Sequence, residues 1–380
     1  MKFSALLTFL LLFNFGFAQH AATSHENLPK TFEELIKSEE VKSQEEAAKV
    51  KSGETSFNPV PTIMHHIADA HDWHLWGQGE KSVSIPLPVI LWDNNGLNVF
   101  MSSKFHHNEA IVESNGNYYI NYHEKIYKTD ANGTIEPHIS EEDGSVHLNN
   151  EKPYDFSITK NVASMLLSFV ILIVVFSSVA SNYKKGNMVP KGIAGFIEPI
   201  IIFVRDEVAI PNIGEKKYAK FMPYLLTLFF FIWVNNLLGL LPGAANVTGN
   251  IAVTFVLALV ALIVINFSGN KEYWGHMLWM PGVPVPVKLL LLPIELAGVV
   301  IKPVALMIRL FANITAGHII IMALISLIFI FQTEAMAAAS IPLALFIYCL
   351  ELLVAALQAF VFTMLVSLFI GMAVAEHDHH

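Results

Sequence analysis

Two stretches near the C-terminus, Val285–Phe331 and Ile341–Ala375, stay apolar for far longer than the ~20 residues a helix needs to cross a bilayer. Chain this apolar belongs in the hydrocarbon core, where only helices and closed barrels satisfy every backbone polar group. Three further runs, Val162–Ala180, Phe221–Leu241 and Ile251–Phe267, have about the spanning length. A mean hydropathy of +0.50 and a charged fraction of 14% fit a polytopic membrane protein. The expected fold is an all-α membrane domain over 159–380, with about five transmembrane helices. If the last two are single helices, they must tilt strongly or lie partly in the membrane plane. Ile193–Val208 is interrupted by Glu198, Pro199, Arg205 and Asp206, and reads as an amphipathic helix at the interface.

The N-terminal part is of another kind. Met1–Ala18 has Lys2, a short apolar run and the small residues Gly16 and Ala18, the pattern of a secretory signal. Residues 19–158 carry 22 Asp/Glu against 10 Lys/Arg, a net of −12, whereas 159–380 carries 10 against 12. An acidic exported domain is expected ahead of a near-neutral membrane domain. Nucleic-acid binding is excluded, since no basic patch is present to meet phosphates. Residues 19–55 are rich in Glu, Lys and Ser and read as a solvated helix or a disordered linker. Residues 82–148 alternate between strand-like runs and turns. The turn signals are Asp93-Asn94-Asn95-Gly96, Asn115-Gly116, Asn132-Gly133 and Asp143-Gly144, and they predict a small β-rich module. The single cysteine, Cys349, lies in an apolar helix, so the exported domain holds together without disulfides. His65, His66, His71 and His74, with Asp69 and Asp72, form a cluster without a specific ligand signature, and no metal or other cofactor is expected.

Charge sets the topology. The segment after the first span carries Lys184, Lys185, Lys191, Arg205, Lys216, Lys217 and Lys220, and the loop at 268–285 carries Lys271. The loops Pro242–Asn250 and Gln332–Ser340 carry no Lys or Arg. The positive-inside rule then places the N-terminal domain outside and the C-terminus in the cytoplasm.

Inside Val285–Phe331, Glu295, Lys302 and Arg309 recur every seven residues and Asn313 follows four later. Seven residues are about two helical turns, so these groups form one polar stripe roughly 27 Å long. A guanidinium does not deprotonate in proteins, and an arginine such as Arg309 at the middle of a bilayer helix costs about 2.5–3.5 kcal/mol even on a lenient scale. The stripe implies a polar partner surface or a wet cavity, or else a buried salt-bridge seam. His318 is nine residues beyond Arg309, on roughly the opposite side of the helix and ~13 Å along it. On the last helix Glu351 and Gln358 share a face. A histidine and a carboxyl on neighbouring helices form a pair able to take up and pass on a proton. His318 and Glu351 are thus expected to line an aqueous path on the outer side, with Arg309 as a barrier nearer the centre. A satisfied core histidine and a backbone-bonded glutamate are the alternatives. Asn235, Asn236 and Asn250 either join that path or act as interhelical glue.

Lys302-Pro303-Val304, then Arg309-Leu310-Phe311-Ala312-Asn313 and Ala316-Gly317, resembles the signature helix of subunit a of the F-type ATP synthase. Asn235-Asn236-Leu237-Leu238-Gly239-Leu240-Leu241-Pro242, Pro284-Val285-Pro286-Val287 and Leu357-Gln358-Ala359-Phe360-Val361-Phe362 resemble it too, in the family's order over about Val162–Ala375. The resemblance implies a non-catalytic stator subunit of a rotary complex, in a bacterial-type inner membrane. It would be packed against the c-subunit ring and contact the b-subunit stalk and other subunits. Protons would pass through two half-channels, with Arg309 as the essential arginine and Asn313, His318, Glu351, Gln358 and Asn236 along the path.

Two departures stand out. Many members carry a carboxylate just after the Ala-Gly pair and a histidine on the next helix, whereas here His318 and Glu351 are exchanged. Where some members have an aspartate before Leu-Leu-Pro, this chain has Gly239, so the path there relies on Asn236 or water. A gated transporter is the rival reading, but the halves show no internal repeat. A passive scaffold leaves the intramembrane Arg, His and Glu unexplained.

Overall fold

The computed structural model describes residues 28–52, 59–60, 63, 68–76, 83–106, 108–140, 146–184, 192–241, 243, 245–278 and 284–375. The expected signal segment, His65, His66, the turn at Asp143-Gly144 and the tail from Glu376 lie outside them. Two compact units separate: one comprises residues up to Phe57 together with Pro86–Ile158, the other Asn58–Ile85 together with Thr159 onward.

The first unit opens with helix α1 (Phe32–Ser52). Its start is a capping box: Thr31 Oγ1 accepts from the Glu34 amide at 3.3 Å, and Glu34 Oε2 accepts from the Thr31 amide at 3.4 Å. Phe32 and Leu35, each 1% exposed, bury its first turn against Ile120, Tyr122, Tyr127, Ile135 and Leu148.

Eight strands follow in this unit. β3 (Pro88–Asp93) pairs antiparallel with β4 (Gly96–Met101) and with the short β10 (Tyr154–Asp155). β5 (Val112–Ser114), β6 (Asn117–Tyr122) and β7 (Lys125–Thr129) form a second antiparallel sheet, and β8 (Pro137–Ile139) pairs with β9 (Val146–Leu148). Val89, Leu91 and Phe100 of the first sheet pack with Val112, Tyr119 and Ile126 of the second, around Phe105. The turn Asn115-Gly116 has positive φ at both residues, 50° and 77°, as a two-residue hairpin of this kind requires.

A polar knot closes one end of this core. Asp93, its side chain 1% exposed, accepts from the Tyr119 hydroxyl, from Asn117 Nδ2 at 2.9 Å and from the Asn95 amide at 2.8 Å, with Lys128 Nζ 3.7 Å away. Burial opposes ionisation of this carboxyl, but the Tyr119 bond, the Asn95 amide and the Lys128 ammonium outweigh it and hold Asp93 below the usual carboxylate range.

In the second unit, β1 (Asp72–Trp76) and β2 (Val83–Pro86) make a two-stranded sheet. β1 and β10 both fall outside the 82–148 window read as strand-rich, because strands this short leave too few residues for alternation to show.

Five helices here are long and apolar enough to cross a membrane: α2 (Lys160–Lys184), α5 (Tyr218–Gly239), α6 (Ile251–Ser268), α8 (Val285–Phe331) and α9 (Glu334–Val374). Between α2 and α5, α3 (Ile193–Phe203) passes through a π-helical turn, Val204–Ala209, into α4 (Ile210–Ile213). α7 (Lys271–Leu278) fills part of the 268–285 loop. The segment Gln332–Ser340, expected as a loop, is helical from Glu334. Thr333 Oγ1 accepts from the Met336 amide at 3.4 Å and the alanines that follow propagate the helix, so the connection shrinks to Gln332 and Thr333. Gln332 takes a left-handed conformation, φ 48°, to close α8.

The core of this unit gathers Leu225, Phe230 and Ile232 of α5, Val204 and Val208 of the π turn, Leu306 and Leu310 of α8, and Phe362, Val366 and Ile370 of α9. Half of the most apolar window of α5 is buried, against 11% for α8. The helix that carries the polar stripe therefore lies at the edge of the bundle.

Candidate functional site

Helix α8 sorts its side chains onto two faces. Leu306, Leu310 and Ile314, at i, i+4 and i+8, are 3%, 0% and 4% exposed and face the bundle. Arg309 and Asn313 are exposed, as are Glu295 and Lys302. No ion pair or hydrogen bond joins Arg309 to another described residue. Among the described residues the stripe is thus not a salt-bridge seam. Its lower end borders a cavity of about 320 Å³ shared with α6, α7 and α9, lined by Glu295 and Lys302 together with Asn266, Glu272 and Tyr273. Lys302 Nζ sits 5.1 Å from the Phe369 ring centre, in cation–π contact.

His318 turns away from Arg309, into the bundle. The C-terminal end of α5 explains where it goes. A helix ends with carbonyls that have no partner in the helix itself. Here Gly239 O receives His318 Nε2 at 3.1 Å, and Leu240 O receives the Tyr348 hydroxyl at 3.1 Å. A carbonyl only accepts, so Nε2 carries the hydrogen and Nδ1 is left facing Glu351, with Oε1 3.8 Å away. Both side chains are nearly enclosed, 14% and 10% exposed. Nδ1 and Glu351 Oε2 have no hydrogen-bond partner among the described residues. That distance is too long for a direct bond. The pair is a buried acid and base held face to face, and it can hold a proton on either member.

Glu351 reaches this position because Gly317 leaves room for it: a Cβ at 317 would fall on the carboxyl group. Gln358, two turns along α9, is buried at 6% exposure on the same face. Asn236 is engaged at both ends of its amide, donating to Ala355 O at 3.0 Å and accepting from Thr248 Oγ1 at 2.6 Å. It clamps α5 to α9 and to the loop before α6. Asn235 donates to Ser168 Oγ at 3.0 Å on α2. Asn250 caps α6 through the Ala252 amide at 2.9 Å. Asn235 and Asn236 thus tie α5 to its neighbours, and Asn250 caps its own helix.

Tyr348 and Thr248 are passed over in the sequence analysis, Gly317 enters there only as part of the Ala-Gly pair, and Asp69 only beside the histidine cluster. Tyr348 stands three residues before Glu351, so a shared helix face was the available signal. Asp69 accepts from Thr159 Oγ1 at 3.0 Å and from the Asn161 amide at 3.1 Å, capping α2 from a segment some ninety residues upstream. No local pattern announces such a contact. His71 and His74 lie at the start of β1, and no three His, Cys, Asp or Glu among the described residues are grouped to hold a metal.

Residues 162–371 match the family described as ATP synthase A chain. The chain belongs to the subunit a family of the F-type ATP synthase. Similar proteins include "ATP synthase subunit a 2" of Chlorobaculum tepidum, 47% identical over 247 residues, which cover 62% of this chain and 69% of the relative. "ATP synthase subunit a" of Chloroherpeton thalassium is 46% identical over 62% of this chain and 73% of its own length. "ATP synthase subunit a 2" of Chlorobium luteolum is 44% identical over 62% and 74%. The resemblance carried by Arg309 and its neighbours therefore extends over residues 162–371. Membership makes this a multi-pass component of the proton-translocating membrane sector, with other ATP synthase subunits as partners. Residues 62–156 separately match a family described only as a domain of unknown function.

Proposed function

We propose that this chain is the stator side of a rotary proton path, with two aqueous half-channels separated by Arg309 and a rotating c-subunit ring passing the exposed face of α8. The observation that carries this reading is the contrast along one helix. Arg309 is exposed and unpaired on the outward face, while His318 is enclosed with Glu351 on the inward one.

A cation fixed at that depth needs a partner. A ring carboxylate passing Arg309 would supply it, and the guanidinium would favour the charged form of that carboxylate and so promote proton release. Its positive charge would also oppose a direct proton leak between the half-channels. On the uptake side, His318 and Glu351 form a relay across which a proton moves once the side chains close their gap. On the release side, the cavity bounded by Glu295, Lys302 and Glu272 offers polar groups for water. Asn313 and Gln358 would line the route beside Arg309, and Asn236 would hold the walls in place. The subunit itself catalyses no bond change. In this reading a cleaved signal directs residues 19–158 outside a bacterial-type inner membrane, and the C-terminus and the b-stalk contacts face the cytoplasm.

The test is ATP-driven acidification of everted membrane vesicles carrying Arg309→Ala, with ATP hydrolysis measured alongside. Pumping should vanish while the complex still assembles. Pumping near the wild-type rate would make Arg309 structural and remove the barrier from the scheme.

A further inference from the structure

The sheet β10-β3-β4 carries apolar side chains on both sides, with the buried Asp93 and Asn98 among them on the inner one. One side forms the core with Val89, Leu91 and Phe100. The other is uncovered, and the strand register lays it out as a grid. Tyr154 pairs with Trp92, which pairs with Leu97. In the next row the Phe156 amide bonds Ile90 O at 2.9 Å, and Ile90 pairs with Val99. In the last, the Ile158 amide bonds Pro88 O at 3.1 Å, and Pro88 pairs with Met101. Every position of the grid is apolar or aromatic. Trp92, Leu97, Val99, Tyr154 and Phe156 are each more than half exposed. A solvated sheet face alternates to polar residues, and an exposed apolar patch of this extent marks a surface that meets something.

We propose that this face rests on the lipid surface of the membrane, at the leaflet where α2 begins. Chain continuity supports it. The last row of the grid ends at Ile158, and α2, the first spanning helix, starts at Lys160. Two residues reach at most about 7 Å, so the grid is tethered at the headgroup level. Beyond that junction the chain continues as lipid-exposed surface, with Leu166, Phe169, Val170 and Ile173 of α2 all exposed. The composition also fits: Trp and Tyr concentrate where a protein meets the membrane–water boundary. A second copy of the chain fits less well, because each N-terminal region carries a net charge of −12 and two would repel.

The experiment uses the assembled ATP synthase reconstituted in phosphatidylcholine vesicles. In a Cys349→Ala background, single cysteines replace Leu97, Val99 or, as a control on the other sheet, Glu113, and each is spin-labelled. Retained ATP-driven pumping verifies assembly. Collisions with dissolved oxygen, which concentrates in lipid, are compared with collisions with a water-soluble nickel chelate. On lipid, the oxygen-to-nickel ratio at 97 and 99 rises several-fold above that at 113. Equal ratios at all three sites would place the face in water and overturn the proposal. Shielding of 97 and 99 from both reagents would overturn it too, in favour of a protein partner.

Discussion

Gly317 of α8 and Glu351 of α9 are fitted to one another: the space a methyl group would take at 317 is occupied by the Glu351 carboxyl. Gly317→Ala should therefore push the carboxyl away from His318. Overpacking of this kind costs about 1–3 kcal/mol. The expected outcome is a complex that assembles but pumps roughly ten-fold more slowly, a loss equivalent to about 1.4 kcal/mol. Comparing the acidification rate with the amount of assembled complex in the same membranes checks it. Unchanged pumping would mean that the carboxyl position is immaterial to transport.

His318 and Glu351 should also behave as a unit. His318→Gln and Glu351→Gln are each expected to slow pumping strongly. The double substitution should cost little more than the worse single one, because the second change removes a partner already disabled. Independent, multiplying losses would separate the two residues into different steps.

The knot around Asp93 gives the N-terminal unit a defined response to acid. The folded carboxyl titrates below its unfolded value of about 3.9, so its stabilisation is present above roughly pH 4 and is lost as pH falls through the folded value. Asp93→Asn should weaken the domain by about 1–3 kcal/mol at neutral pH, since the bonds of Tyr119 and Lys128 lose their charged acceptor. It should also flatten the acid loss. Hydrogen exchange of the β6 amides in the full chain, corrected for intrinsic rate and followed from pH 7 to pH 3, reads both effects. Parallel pH profiles for wild type and variant would show that another carboxyl governs the acid response.

How much of this is legible in the sequence depends on the kind of interaction. Spanning helices announce themselves by length and apolarity, and all five expected runs correspond to helices. The start of α9 is hidden because Ala337, Ala338 and Ala339 are only weakly apolar, and a capping threonine looks like loop chemistry. Asn115-Gly116 signals its hairpin because those residues tolerate positive φ. His123 and Glu124 make an equivalent turn at φ 46° and 60° without that signature, because the pairing of β6 with β7 holds them there. The divergence of Arg309 and His318 follows from a nine-residue separation on a helix. The double engagement of Asn236, the space left by Gly317 and the carbonyls that receive His318 and Tyr348 depend on which helices become neighbours, and periodicity does not encode that.

The joint at Gln332 and Thr333 has a mechanical meaning. It links helices of 47 and 41 residues through two residues, one of them locked in a left-handed turn and the other spent on a cap. Such a hinge has no slack. A sideways push on α8, where Arg309 is displayed, is transmitted to α9, which carries Glu351. The charge facing outward and the acid–base pair facing inward are thereby mounted on one lever, and a displacement that moves one alters the alignment of the other.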